Sequence, residues 1–189
     1  MARPLSPEKR LALLLAATQA VAEQGVLAST ASIARRAEVA EGTLFTYFES
    51  KDVLFQELYL HLKQSLADRV MPSYPHAADY RQRMRHVFDQ YVVWGLNNAD
   101  GRVALARLSA SGVVRDATRE QATEPFLAFS RMMQDAINDG VLLNAPIAFL
   151  TSIMERVAET TIEYADKHPQ DAERTQQLAF PLLWRAISG

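Results

Sequence analysis

The chain has 189 residues and a formal charge of −2, so it can bury a sizeable core in one or two domains but lacks the overall basic coat of a general nucleic-acid binder. It contains no cysteine, which excludes a disulfide framework, a thiol nucleophile and a thiolate metal site. No apolar run approaches the roughly 20 residues that cross a bilayer, and Leu11 to Ala17 is too short, and too closely preceded by Pro7-Glu8-Lys9-Arg10, to read as a signal peptide. A soluble cytoplasmic protein is expected.

Met1 to Leu5 reads as a loose arm. Ser6 can cap a helix with Pro7 at its first position, and Leu11, Leu14, Leu15, Thr18, Val21 and Ala22 form its apolar stripe up to a stop at Gly25. Ser29 can cap a short second helix carrying Ile33, Ala34 and Ala37 at helical spacing. The stretch from Glu38 to Lys51 then supplies a tight turn, with Val39 to plug the wedge, and a third helix whose Leu44 and Phe48, four apart, share a buried face. Glu41, Thr43, Phe45, Thr46 and Tyr47 are left to point elsewhere. Two short helices across such a turn make a helix-turn-helix, whose second helix enters the major groove. The first helix braces this pair from behind, giving a three-helix unit.

Ser50 caps a fourth helix from Lys51 to about Val70, with Val53, Leu54, Leu58, Leu62 and Leu66 on its apolar side. Residues 79–98 predict a fifth helix, broken by Asn97 to Gly101; Arg102 to Ser111 predicts a sixth, stopped by Gly112. Pro125 opens or kinks a seventh that continues to Gly140, Pro146 starts an eighth ending near His168-Pro169, and Asp171 starts a ninth ending at Ser188. No strand-like alternation competes. The expected fold is all-α with about nine helices, divided into a helix-turn-helix DNA-binding domain over residues 1–50 and a helical domain over 51–189 that opens with the helix 51–70.

Chemistry is sparse. His61, His76, His86 and His168 are scattered and none has metal-ligand spacing, and no nucleophile elbow or phosphate loop occurs. Glu155, Glu159 and Glu163 stack on the eighth helix, which reads as a solvated face or an interface rim in preference to a cation or acid–base site. No enzyme and no cofactor are expected. The first 51 residues carry six basic side chains against five acidic ones, so charge alone argues only weakly for DNA. Arg3, Lys9 and Arg10 stand where an arm or helix start can touch a DNA backbone, or simply keep the surface soluble.

Ile33-Ala34, Ala37, Val39, Gly42-Thr43-Leu44-Phe45, Tyr47-Phe48, Ser50-Lys51-Asp52 and Leu54-Phe55 resemble the N-terminal signature of the TetR family of bacterial transcriptional regulators, over Leu11 to about Leu58. Two departures stand out: Glu38 occupies a position where the family commonly has a turn glycine, and Phe45 one where it often has tyrosine. The resemblance implies a transcriptional regulator, a repressor in the family's usual mode, that leaves a palindromic double-stranded DNA operator when a small-molecule effector binds. Ser29, Thr30, Tyr47 and Lys51 would then fix the phosphate register, with Thr30 alternatively inward, while Glu41, Thr43, Phe45 and Thr46 would meet the bases and Gly42 would lie among the DNA-binding residues. Glu41 can accept from a cytosine amino group and Phe45 can touch a thymine methyl.

The resemblance also places an effector pocket in the C-terminal domain. Met84, Phe88, Tyr91, Trp94, Phe126, Phe129 and Met133, with Arg107 as a polar group, are its candidate lining, and a packed core is the competing reading. Met132 shares that apolar cluster, and Asn97, Asn98 and Tyr164 are further polar candidates. A homodimer through helices 146–168 and 171–188 is implied, since two recognition helices must meet successive major grooves. The alternative is a ligand-binding or protein-interaction module that keeps the fold without operator binding.

Overall fold

The computed structural model describes residues 5–189; residues 1–4, which hold most of the expected arm and Arg3, lie outside the described residues. Among the described residues the chain forms ten α-helices joined by turns and three short 3-10 segments, with one isolated backbone bridge between Leu142 and Ser188. The all-α expectation holds. The chain divides into two compact units, one made by the residues up to Ser65 with Asn98–Thr123, the other by Leu66–Asn97 with Glu124–Gly189.

In the first unit α1 (Pro7–Gln24) begins as its sequence dictates: the Ser6 hydroxyl accepts the Lys9 N–H at 3.2 Å and Pro7 takes a position where no N–H is needed. It packs against both α2 (Thr30–Arg36) and α6 (Ala99–Ala110). That second partner changes the buried face. Leu13, Leu14, Ala16, Ala17, Ala20 and Val21 are buried, whereas Leu11 and Leu15, expected to face inward, are 46% and 52% exposed. A short helix, α3 (Glu41–Tyr47), and the start of α4 (Lys51–Val70) complete the unit around Ile33, Leu44, Phe48, Leu54, Leu58 and Leu108. Burying one such leucine contributes about 1.5–3 kcal/mol. The helix after α6 was not expected: Asp116–Gln121 makes a one-and-a-half-turn α7. Before it, buried Gln56 donates to the Val113 carbonyl at 2.9 Å and accepts the Arg115 N–H at 2.9 Å, while Arg115 pairs with Asp52. These bonds hold the α6–α7 loop to α4.

In the second unit α5 (Tyr80–Asn97) packs against α8 (Leu127–Asn138), α9 (Ile147–Lys167) and α10 (Ala172–Ile187). Its core is Met84, Phe88, Val92 and Trp94 with Phe129, Met132, Met133, Leu150, Ile162, Phe180 and Leu183; the rings of Phe88 and Phe180 lie 5.9 Å apart. Such aromatic pairs add about 0.5–1.5 kcal/mol beyond their burial. The break expected over Asn97 to Gly101 is confined to Asn98, and Gly101 is buried inside α6. The stretch at Pro125 is a 3-10 turn, Glu124–Phe126, leading into α8. Gly140, at φ +72, ends α8's loop, after which Leu143 N–H donates to the Ile187 carbonyl at 2.9 Å and fastens the C-terminus.

Candidate nucleic-acid interface

The turn between α2 and α3 is built by its backbone. After Ala37, Glu38 takes φ +55, its N–H donates to the Arg35 carbonyl at 3.2 Å, and the Val39 N–H reaches back to the Ala34 carbonyl at 3.0 Å. This is the bonding pattern of a Schellman helix stop, which normally uses glycine at the left-handed position. Glu38 is the one non-glycine residue with positive φ among the described residues. Its departure from the family glycine is therefore a strained one, costing about 1 kcal/mol. Val39 is half-buried in the angle between the helices.

Leu44 and Phe48 turn inward, and the Arg10 guanidinium covers the Phe48 ring at 5.5 Å while pairing with Glu57. The opposite face of α3 is open: Glu41, Gly42, Phe45 and Thr46 are exposed, with Thr43 and Tyr47 half-buried at its edges. A Cβ built on Gly42 would meet nothing within 4 Å, so a bulky surface can approach the backbone here. Thr46 spends its hydroxyl proton on the Gly42 carbonyl at 3.1 Å, leaving its oxygen as an acceptor.

Four contacts fix the margins of this face. The Ser29 hydroxyl caps α2 by accepting the Ser32 N–H at 3.1 Å. Thr30 donates to the Glu41 carboxylate at 2.6 Å, which gives Thr30 a side-chain partner across the turn. Tyr47 accepts the Ser6 N–H at 3.1 Å. Lys51 donates to the Val26 carbonyl at 2.8 Å, with its ammonium 5.2 Å from the Phe55 ring centre. Sequence reasoning missed all three long-range pairs, which join residues 11, 41 and 25 positions apart; no local spacing signals them. Lys9 and Arg35 are exposed, and Arg36 is paired with Glu23.

The residues read as a pocket lining occupy different places. Met84, Phe88, Tyr91, Trp94, Phe129 and Met133 are buried together in the second unit, and Phe126 is half-buried in the 3-10 turn before α8. Tyr91 donates to the half-buried Glu159 carboxylate at 2.8 Å, a polar pair inside this apolar core. Arg107 belongs to the first unit, where its Nη1 lies 3.5 Å from the Val21 carbonyl. An open groove of about 680 Å³ runs along α9 and α10 over Val157, Thr161, Tyr164, Leu178, Ala179 and Leu182. Leu178 and Leu182 are 53% and 62% exposed there. Of the three stacked glutamates, Glu155 and Glu163 are exposed. No group of three or more His, Asp or Glu side chains among the described residues is placed to hold a metal, and no described helix is long and apolar enough to cross a membrane.

Two short helices across a Schellman turn, with a third helix bracing them, make a helix-turn-helix, and the second unit is helical. Residues 13–58 match the profile of the bacterial regulatory proteins of the tetR family. Among solved structures, a protein from Shewanella sp. PV-4 assigned to the tetR transcription regulators is 28% identical, with a TM-score of 0.84 over 96% of this chain and 98% of its own. A TetR family transcription regulator from Marinobacter aquaeolei VT8 shares the fold at 20% identity and a TM-score of 0.82, over 95% of each chain. The transcriptional regulator FadR from Bacillus subtilis, solved in complex with stearoyl-CoA, shares it at 16% identity and a TM-score of 0.67, over 92% of this chain and 96% of its own. The chain thus carries a match to the tetR family over residues 13–58 and shares, over nearly its whole length, the fold of solved TetR-family transcription regulators.

Proposed function

We propose that this protein is a transcriptional regulator, a homodimeric repressor that reads a palindromic operator through α3 and is released by a small-molecule effector. The observation that carries the reading is the open face of α3, with Glu41, Phe45 and Thr46 exposed beside a bare Gly42. Such a face presents an acceptor, an apolar ring and a hydroxyl oxygen to base edges. Thr43 joins them at its margin. Ser29, Tyr47 and Lys51 flank it and hold phosphate, while Thr30 gives its hydroxyl proton to Glu41: Tyr47 accepts from Ser6 through its oxygen and keeps its own proton to donate, and Lys51 retains two N–H groups beyond the one given to Val26.

Residues 1–50 are the reading domain and 51–189 the effector and dimerisation domain. A second copy covers the α9–α10 groove, where the exposed Leu178 and Leu182 continue the apolar surface of Tyr164 and Val157. An effector inserted among Met84, Phe88, Tyr91, Trp94, Phe126, Phe129 and Met133 would favour one of two dimer spacings and so lower operator affinity by differential binding. FadR holds stearoyl-CoA in the same fold, which supports a small molecule as the effector. A cytoplasmic location follows from the DNA target.

The test is the salt dependence of operator binding. Wild-type affinity should fall steeply with salt, and Lys51→Ala should flatten the logarithmic slope by about one unit per half-site while weakening all sequences alike. A protein-interaction module would show no operator affinity for Lys51→Ala to weaken, at any salt.

A further inference from the structure

We infer that Glu41 is a base-reading carboxylate set in place by Thr30, and that it selects a cytosine in each operator half-site. The inference rests on the assignment of α3 as the DNA reader. Thr30 Oγ1 donates to Glu41 Oε1 at 2.6 Å. That bond pins an otherwise flexible, exposed side chain at one margin of the open α3 face. The neighbouring Gly42 offers no Cβ, so a base edge can come close to the pinned carboxylate. Phe45 lies one turn further along the same face, 46% exposed.

A carboxylate accepts hydrogen bonds and donates none. In the major groove guanine shows two acceptors, thymine an acceptor and a methyl group, and adenine a donor beside an acceptor. Only cytosine shows its amino donor alone. A negative charge held among phosphates is repelled unless such a donor meets it. Glu41 therefore acts by exclusion as well as by attraction: it disfavours every base but cytosine at its position and lowers affinity for DNA in general. Thr30 is a positioning residue, since it touches the reader and not the base.

The experiment is selection from a library of palindromes with randomised half-sites, using the full-length wild type and Glu41→Gln, Thr30→Val and Thr30→Ser variants. Wild type should enrich cytosine at one symmetric position by about tenfold over other bases. Glu41→Gln should lose that preference, keep the rest of the motif and bind non-cognate DNA more tightly. Thr30→Val should weaken the cytosine preference severalfold, and Thr30→Ser, which restores the hydroxyl, should recover it. The same motif from wild type and Glu41→Gln at every position overturns the inference. Enrichment of no motif by the wild type overturns the DNA-reading assignment itself, a result distinct from the first.

Discussion

Tyr47 accepts a hydrogen bond from the Ser6 backbone N–H at 3.1 Å, joining the last residue of α3 to the cap of α1 across 41 positions. The bond ties the proposed reading helix to its brace and leaves the phenolic proton free to donate elsewhere. Tyr47→Phe should remove both functions. Equilibrium unfolding should register a loss of about 1 kcal/mol for the hydrogen bond, and DNA affinity should fall by a similar factor on specific and random sequences. A loss confined to the specific operator would contradict a phosphate role.

Glu38 holds a left-handed backbone at φ +55 in the turn that sets α3 against α2. Replacing it with glycine removes the Cβ strain, although glycine loses more chain entropy on folding. Glu38→Gly should raise stability by about 1 kcal/mol, read as a higher urea midpoint at unchanged slope. Glu38→Ala keeps the Cβ and should leave the midpoint near wild type.

The groove on α9 and α10 carries the dimer proposal. Leu178 and Leu182 are four apart and more than half exposed, while Ala179 and Leu183 beside them are buried. Glutamate at both positions 178 and 182 should therefore spare the fold. Sedimentation should show a folded monomer with native circular dichroism, and operator binding should be lost. A dimer that persists would move the interface elsewhere.

Two tyrosines of the second unit give alkaline pH a direction. Tyr80 is held above its ordinary value first by its 2.7 Å hydrogen bond to the Asp139 carboxylate, and Tyr74 chiefly by burial. Their stabilising contribution is fully present below the unfolded tyrosine value near 10 and is lost as pH rises through the raised folded values. Urea midpoints compared at pH 8 and pH 11 should drop less for Tyr80→Phe than for wild type. At the acid end the Ser6 hydroxyl holds the Glu8 carboxyl below its usual range. That contribution is present above the unfolded carboxylate value and disappears as pH falls, so Ser6→Ala should flatten the acid limb.

The helix-turn-helix was legible because its signals are local. Ser29 caps by reaching three residues on, Leu44 and Phe48 share a face by being four apart, and Gly112 and Gly140 stop their segments with positive φ. Leu11 and Leu15 misled for the opposite reason. Which side of α1 is buried depends on α6, about 90 residues later, and no periodicity within α1 records that partner. Residues 116–121, Asp-Ala-Thr-Arg-Glu-Gln, lack an apolar stripe, which hid α7. The candidate pocket was the least legible part, because a buried Met84 or Phe88 reads the same in a packed core as beside a cavity.

Selection of protein-bound fragments from the source genome, with the best fragment rebound across a range of salt, tests operator reading most directly. An enriched palindrome whose half-sites are centred about 10 base pairs or a multiple apart, bound with an affinity that falls linearly with salt on logarithmic axes, is the predicted result. A folded dimer that enriches no sequence, in a sample shown by mass spectrometry after denaturation to carry no bound small molecule, would contradict it.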